Sequence, residues 1–324
     1  MNSFVMLIEP EGSIGYDKYI RESAREDKVF YISRINGVFN KLWKIHFSGR
    51  LNQKKELPFK RVWFKRMLKG IDVDCSDMTY FIFFEEWLPS YSSMFLKYLT
   101  KKYPNSKKCL VLTNPIESEY YRKLLSVKDQ YDMIVTFLKD DADKYGMEYY
   151  PYGYPFAIPN ALEKTEITSD VLFVGNAKGR HERILNIYEN LKQKGYLCDF
   201  NIVGVAPQDQ KYAGEITYNN RISYDEVIKK VKRTRCILEV VYNNYNYCSL
   251  RTLEAALCHK KLITTNRRIT ELPIYSREYI SIIDEDNDVD SAFIDKDIDL
   301  SVYPDKDFCS FSSFRDFITS SEKE

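Results

Sequence analysis

Read for the order of apolar and polar positions, the chain alternates short unbroken apolar runs with amphipathic stretches. The clearest unit spans residues 235–266. CILEVVY (236–242) is apolar without alternation, the pattern of a strand buried on both faces of a parallel sheet. NNYNYC (243–248) is a polar loop. SLRTLEAALCHK (249–260) puts Leu250, Leu253 and Leu257 at i, i+3 and i+7, a helix stripe that faces a core, with Ser249 placed to cap it. KLITTN (261–266) predicts the next strand.

The same grammar runs through the rest. Apolar runs at 4–9, 29–35, 80–86, 109–116 and 133–137 predict strands, and periodic stretches at 16–26, 117–126 and 139–146 predict helices. Gly12 and Gly15 form a turn after the first strand, either a plain tight turn or an acceptor-side loop. Pro151, Pro155 and Pro159 forbid a long regular element and lead into a linker near 158–169. Beyond it come strands at 170–176, 198–205 and 279–283, and a short strand and helix within 215–234. A helix opening at 176–183 carries Ile184, Ile187, Tyr188 and Leu191 inward. Residues 284–307 are acid-rich and read as exposed, and 311–318 reads as a closing helix with Phe311, Phe314 and Ile318 inward. No repeat of 20–50 residues is visible. Repeated strand–helix units in each half predict an α/β protein of two domains facing across a cleft. They are 1–160 and 161–305, with a helix and tail at 306–324 available to pack back on the first.

Composition narrows this little. At 324 residues, 44% hydrophobic and net charge +1, the chain has room for two cores and no global nucleic-acid signature. No apolar run approaches the roughly 20 residues needed to span a bilayer. The start, MNSFVMLIEPEG, has no basic region or small-residue cleavage site and reads as a first strand rather than a signal peptide. Seven cysteines show no metal spacing and read as small buried hydrophobes of a reducing cytosol; three scattered histidines give no metal site. Charge does change the picture at 41–69. Ten basic residues (Lys41, Lys44, Arg50, Lys54, Lys55, Lys60, Arg61, Lys65, Arg66 and Lys69) stand against the single acid Glu56, with Trp43, Phe47, Phe59, Trp63 and Phe64 between them. That suits an anionic membrane surface or single-stranded nucleic acid; the plainer reading is a solvated face over aromatic core anchors.

The candidate chemistry gathers in the second half. Arg251 and Glu254 share one face near the start of the 249–260 helix, where free backbone N–H groups and the positive dipole end favour an anion. Arg251 suits a phosphate and Glu254 a sugar or ribose hydroxyl; the plainer reading is a solvated ion pair. Gly175 leaves room for a ligand beside the backbone. Lys178, Arg180 and Arg183 crowd a helix start against its dipole, for which a bound diphosphate would be one reason and surface solubility another. In the first half, Glu85 and Glu86 end a strand and are candidates for a general base, or for caps of the next segment; Glu9 ends the first strand. Asp-x-Asp pairs at 72–74, 141–143, 284–286 and 288–290 are candidates for a metal-dependent transferase, but such pairs arise by chance in an acid-rich chain.

DVLFVGNAKGR, IVGV, ISYDEVIKKVK, CILEVV and SLRTLEAALCHKKLITTN together resemble the donor domain of GT-B-fold glycosyltransferases. More narrowly, they and FIFFEEWLP, LTNPI and DMIVTFLKDDADKYGMEYYPYGY are similar to bacterial proteins of capsule, O-antigen or lipopolysaccharide assembly. The resemblance implies two Rossmann-like domains and transfer of a hexosyl or pentosyl group from a nucleotide-sugar donor to a lipid-linked glycan, without metal or cofactor. Its implied donor-binding residues are Gly175, Lys178, Arg180, Tyr224 and Ser249, followed by Leu250, Arg251, Thr252 and Glu254. Arg251 is also implied in catalysis, with Glu9, Glu85 or Glu86 as the base of an inverting reaction. The location expected is cytoplasmic, peripheral on the inner face of the membrane; the charge of 41–69 makes that segment the candidate contact with anionic lipid, and no nucleic-acid partner is expected. In many relatives a carboxylate stands eight residues before the one matching Glu254. Here that position is Asn246, and NNYNYCS replaces a small Gly-containing loop. These departures motivate an alternative, a non-catalytic sugar-nucleotide-binding subunit of a transferase complex.

Overall fold

The computed structural model describes residues 2–7, 15–25, 27, 29–32, 35, 37–48, 50–52, 56–74, 76–85, 90, 92–116, 127–242, 246–286 and 289–320. The predicted helix at 117–126 lies outside them, as do Glu9, Gly12, Glu86, Lys54 and Lys55. The chain divides into two compact units, Met1–Tyr150 with Phe311–Glu324, and Pro151–Ser310.

The first unit runs β1 (Asn2–Leu7), α1 (Asp17–Ser23), β2 (Val29–Tyr31), α2 (Val38–Phe47), α3 (Arg61–Met67), β3 (Met78–Phe84), α4 (Ser93–Lys102), β4 (Ser106–Leu112), β5 (Met133–Thr136), α5 (Lys139–Tyr145) and β6 (Glu148–Tyr149). Its strands form one parallel sheet in the order β2-β1-β3-β4-β5-β6. Phe81 to Phe84 and Leu110 to Leu112 are all buried, which is why these runs carry no polar alternation. Ser92 caps α4 by accepting from the Phe95 N–H at 3.3 Å, and Gly146, left-handed at φ +64°, ends α5.

The basic segment forms α2 and α3, packed side by side. Trp63 donates from its indole to His46 Nδ1 at 2.8 Å, Trp43 donates to Met67 Sδ at 3.3 Å, and Phe47 and Phe64 meet at 6.5 Å. Among the described cations of this segment, Lys60 and Arg66 have side-chain partners. Lys60 is buried on Glu56 at 2.9 Å, and Arg66 stacks over Phe39 at 4.4 Å. Glu56 also accepts from Ser92 Oγ and the Met94 N–H, so this pair ties the segment to the start of α4.

The second unit runs β7 (Ser169–Asn176), α6 (His181–Gln193), β8 (Cys198–Val203), β9 (Thr217–Tyr218), α7 (Tyr224–Lys232), β10 (Thr234–Glu239), α8 (Leu250–Leu257), β11 (Lys261–Thr264), β12 (Ile280–Ile282) and α9 (Ser291–Asp295). A parallel sheet holds them in the order β12-β11-β10-β7-β8-β9. Ser223 caps α7 from the Glu226 N–H at 3.2 Å. The stretch after Tyr150 belongs with this unit. The Phe156 N–H donates to the Cys309 carbonyl at 2.7 Å, and the Phe156 ring meets Tyr224 edge-on at 6.0 Å.

Residues 284–307 are not the exposed tract expected from their acids. Val289, Phe293 and Ile294 are buried, and Tyr303 stacks on His259 and Tyr279, each at 4.5 Å. Asp284, Asp290, Asp295, Asp297 and Asp299 are exposed while these apolar positions go inward; Leu300 stays exposed. The last helix, α10 (Phe311–Ser320), buries Phe311, Phe314 and Ile318 in the first unit. There Phe311 meets Phe4 at 5.7 Å, and Arg315 pairs with Asp27 at 2.5 Å. The described cysteines are all free, and burial pushes the Cys236 and Cys258 thiols up to about 12.

Candidate functional site

β7 and β10 are neighbours in the sheet, although two strands separate them in the chain. Connections leave this pair in opposite directions, so their C-terminal ends flank a topological switch point, where open α/β sheets leave a crevice. The described residues that emerge there are Ala177–Arg180, after β7, and residues 240–242 and 246–249, after β10. Two segments 60 residues apart in the chain are thereby placed together: Arg180 donates from Nη1 to the Val240 carbonyl.

The first loop is a tight turn. Lys178 and Gly179 take left-handed backbone at φ +40° and +78°, the Lys178 N–H donates to Asn176 Oδ1 at 3.0 Å, and the Arg180 N–H returns to the Ala177 carbonyl at 2.8 Å. Lys178 is exposed. Arg180 is not: its Nη2 donates to the Asn176 carbonyl at 3.0 Å, and burial lowers its pKa while Tyr247 and Glu239 raise it. Arg180 therefore ties the ends of β7 and β10. Arg183 is held by Asp286 and the Asp284 carbonyl, both at 2.9 Å. The crowding of cations against the α6 dipole is thus met by protein carbonyls and a carboxylate. Gly175 has a packing reason as well, since a Cβ there would lie 3.2 Å from Phe173 Cζ.

The second loop delivers α8. Ser249 caps it, accepting from the Thr252 N–H at 3.2 Å, while its hydroxyl donates to Glu239 Oε1. Leu250 and Arg251 stand in the first turn, whose N–H groups have no helical carbonyl to meet. Glu239, the last residue of β10, is buried and accepts from Thr264 Oγ1 at 2.5 Å as well. It joins the ends of β10 and β11 to the cap of α8. The sequence reading passed over it inside CILEVVY; the signal was a lone carboxylate in a doubly buried run. Gly153 was also missed. It sits at φ +71° against this loop, where a Cβ would fall 2.9 Å from the Cys248 carbonyl oxygen.

Arg251 and Glu254 do form an ion pair, at 2.5 Å, but it is not solvated. Glu254 is fully buried and also accepts from Tyr224 Oη at 2.5 Å. Burial raises its pKa, and Arg251 and Tyr224 pull it back. Arg251 keeps 17% of its side chain exposed. Thr252 is buried; Tyr224, Ser249 and Leu250 are half-buried. The two loops thus carry an exposed Lys178 and, in the first turn of α8, a partly exposed Arg251, alongside the paired polar groups of Arg180, Glu239 and Glu254. That arrangement can hold an anion. Asn246, at the position of the replaced carboxylate, is buried and donates from Nδ2 to Glu271 at 2.6 Å. Its Oδ1 has no hydrogen-bond partner.

In the first unit, Glu85 follows β3, at the sheet edge that the switch-point rule selects. It is buried, and Thr113 Oγ1 and Asn114 Nδ2 both donate to its Oε1. Glu85 thereby holds the turn after β4. Glu9 and Glu86, the other base candidates, lie outside the described residues.

Residues 180–293 match the family described as "Glycosyl transferase-like". No curated protein matches the chain. Among solved structures, an alpha-glucosyltransferase in complex with UDP and a 13-mer DNA is similar with a TM-score of 0.59 at 13% identity, over 98% of this chain and 100% of that one. Alpha,alpha-trehalose 6-phosphate synthase from Burkholderia multivorans is similar with a TM-score of 0.50 at 11% identity, over 99% of each chain. A Glycosylation Associate Protein (Gap123) complex from Streptococcus agalactiae matches 81% of this chain with a TM-score of 0.45 and 11% identity. The chain spans 57% of that longer one. Two six-stranded parallel sheets with flanking helices, and a transferase-like match that covers the whole of the β10–α8–β11 unit, make this chain a GT-B-fold protein with a glycosyl transferase-like domain at residues 180–293.

Proposed function

We propose that the protein transfers a sugar from a nucleotide-sugar donor to a glycan or lipid-linked glycan acceptor in surface polysaccharide assembly. The observation that carries this reading is that Ser249 and Glu239 hold the capped first turn of α8 at the C-terminal end of β10, which Arg180 ties to the end of β7. The nucleotide diphosphate would lie against that turn, with Arg251 and Lys178 meeting the charge that develops as the glycosidic bond to it breaks. Glu254, buried and paired, would fix the Arg251 fork. Transfer without metal is supported by the protein partners of the Asp-x-Asp acids. Asp286 serves Arg183, Asp284 serves Arg267, Asp143 serves Lys139 and Asp141 accepts from the Ile116 N–H. The base of an inverting reaction is left unassigned.

A second reading has one observation in its favour. Asn246 supplies no charge, and its amide is turned to Glu271. A subunit that binds a sugar nucleotide without transferring it fits that pairing.

Uridine, guanosine, cytidine and thymidine diphosphates and their sugar conjugates form the testing panel, with thermal midpoint and turnover as readouts. A ligand at 100 times its Kd adds about 2.7 kcal/mol. The transfer reading expects such a shift, turnover, and a loss of about 100- to 1,000-fold in Arg251→Ala. Stabilisation without turnover over a range of acceptors favours the second reading, and no stabilisation by any nucleotide removes both.

A further inference from the structure

The switch point leaves one feature of the molecule unused, the outer face of α2 and α3. Every large apolar side chain that is exposed among the described residues of the first unit lies in this segment: Val38, Phe39, Leu42, Ile45, Leu51, Phe59 and Val62. On α2, Val38, Leu42 and Ile45 fall at i, i+4 and i+7, so they form one stripe; they are 73%, 50% and 55% exposed. Trp43 and Phe47 take the opposite face into the core. On α3, Trp63, Phe64 and Met67 go inward and Val62 stays 66% exposed, while Phe59 beside it is 80% exposed. The His46–Trp63 and Phe39–Arg66 contacts hold the two helices in register, so the stripes share one side of the unit.

Charge rings this apolar surface. Lys41, Lys44, Arg50, Arg61, Lys65, Arg66 and Lys69 are all exposed. Glu56, the one acid between Lys41 and Lys69, is engaged by Lys60, Ser92 and the Met94 N–H. An apolar stripe that stays in water has no structural use, and the exposed, unopposed cations Lys41, Lys44, Arg50, Arg61 and Lys65 beside it select an anionic occupant.

We propose that this face docks the protein on an anionic lipid bilayer, with Val38, Leu42, Ile45, Phe59 and Val62 entering the headgroup–acyl boundary and the lysines and arginines meeting lipid phosphates. The composition of the stripe favours lipid over nucleic acid. Bases stack on aromatic rings, whereas Trp43 and Trp63 are buried, Phe39 is covered by Arg66, and the exposed stripe is mainly aliphatic. It also disfavours a second copy of the chain, because a two-fold contact would set this cationic face against itself. The docking site lies in the first unit and does not depend on the transfer reading.

The test uses the full chain, without donor or acceptor, in co-sedimentation with vesicles. Phosphatidylcholine vesicles containing about one third phosphatidylglycerol should bind it at least ~10-fold more strongly than pure phosphatidylcholine at low salt. Raising the salt should reverse most of that difference. The double variant Leu42→Asp/Ile45→Asp should lose binding about tenfold or more with an unchanged thermal midpoint, and Lys41→Glu/Lys44→Glu should do likewise. The proposal is overturned by equal binding to both vesicle types, or by retention of binding in the Leu42→Asp/Ile45→Asp variant. It is also overturned if sedimentation velocity finds a dimer that this variant dissociates, or if a single-stranded oligonucleotide binds the face and vesicles do not.

Discussion

At the β7–β10 switch point Arg180 gives its guanidinium to two strand-end carbonyls, and Arg251 closes on buried Glu254. Over α2 and α3, Lys41, Lys44, Arg61 and Lys65 stand in solvent beside Leu42, Ile45 and Val62. Both regions are rich in cations, and they use them oppositely. In the first, Arg180, Glu239 and Glu254 are desolvated and each has a partner, because an unpaired buried charge is too costly to keep. Geometry is the product: strand ends and a helix cap are held in fixed positions. In the second, charges keep their hydration and so define no geometry. They define a field, and the apolar stripe defines an area. A cluster of basic residues in a sequence does not tell the two uses apart; burial does.

The contrast is sharpest for leucine. Leu253→Ala in α8, where the side chain is fully buried, should cost about 2–5 kcal/mol, whereas Leu42→Ala on the exposed stripe of α2 should stay within about 0.5 kcal/mol. Urea denaturation of both variants measures this; equal losses would mean that the α2 stripe is covered in solution. A smaller effect is expected from Ser249→Ala. Losing the cap and the hydroxyl that serves Glu239 should remove about 1–3 kcal/mol, and nucleotide affinity should fall with it if α8 holds the anion. An affinity that survives this change would separate the helix tip from the site. The smallest change is a slope. The folded-state pKa of Glu254 is raised from 4.5 by burial, so the folded protein holds this proton where the unfolded chain has released it. Its contribution to stability is complete below the unfolded value and is lost as pH rises through the folded one. Glu254→Gln, which cannot titrate, should flatten the pH dependence of the unfolding midpoint across that window.

The elements were legible because their physics is local. FIFF, CLVL and CILE are continuous apolar runs, and a strand buried on both faces needs nothing else to announce itself. The stripe of Leu250, Leu253 and Leu257 and the cap at Ser249 were legible for the same reason. Ends were less so. The strand expected at 236–242 is Thr234–Glu239, because the ladder with β7 and β11 stops where the chain turns out toward Tyr242. Arg251 and Glu254 could be paired on paper by their spacing. Their burial under Tyr224 could not, since Tyr224 is 30 residues away on another helix.

The sequence by itself determined the α/β class, the strand–helix order, the helix start at Ser249 and the excess of charge at 41–69, all properties of neighbours along the chain. Only the tertiary structure decided that β10 lies beside β7, that Arg180 and Arg183 answer to protein oxygens, that Lys60 goes inside, and that Leu42 and Ile45 stay out. Those outcomes depend on which distant groups share a low-dielectric space, and the energy of a charge or a methyl group there is set by its partners rather than by its identity.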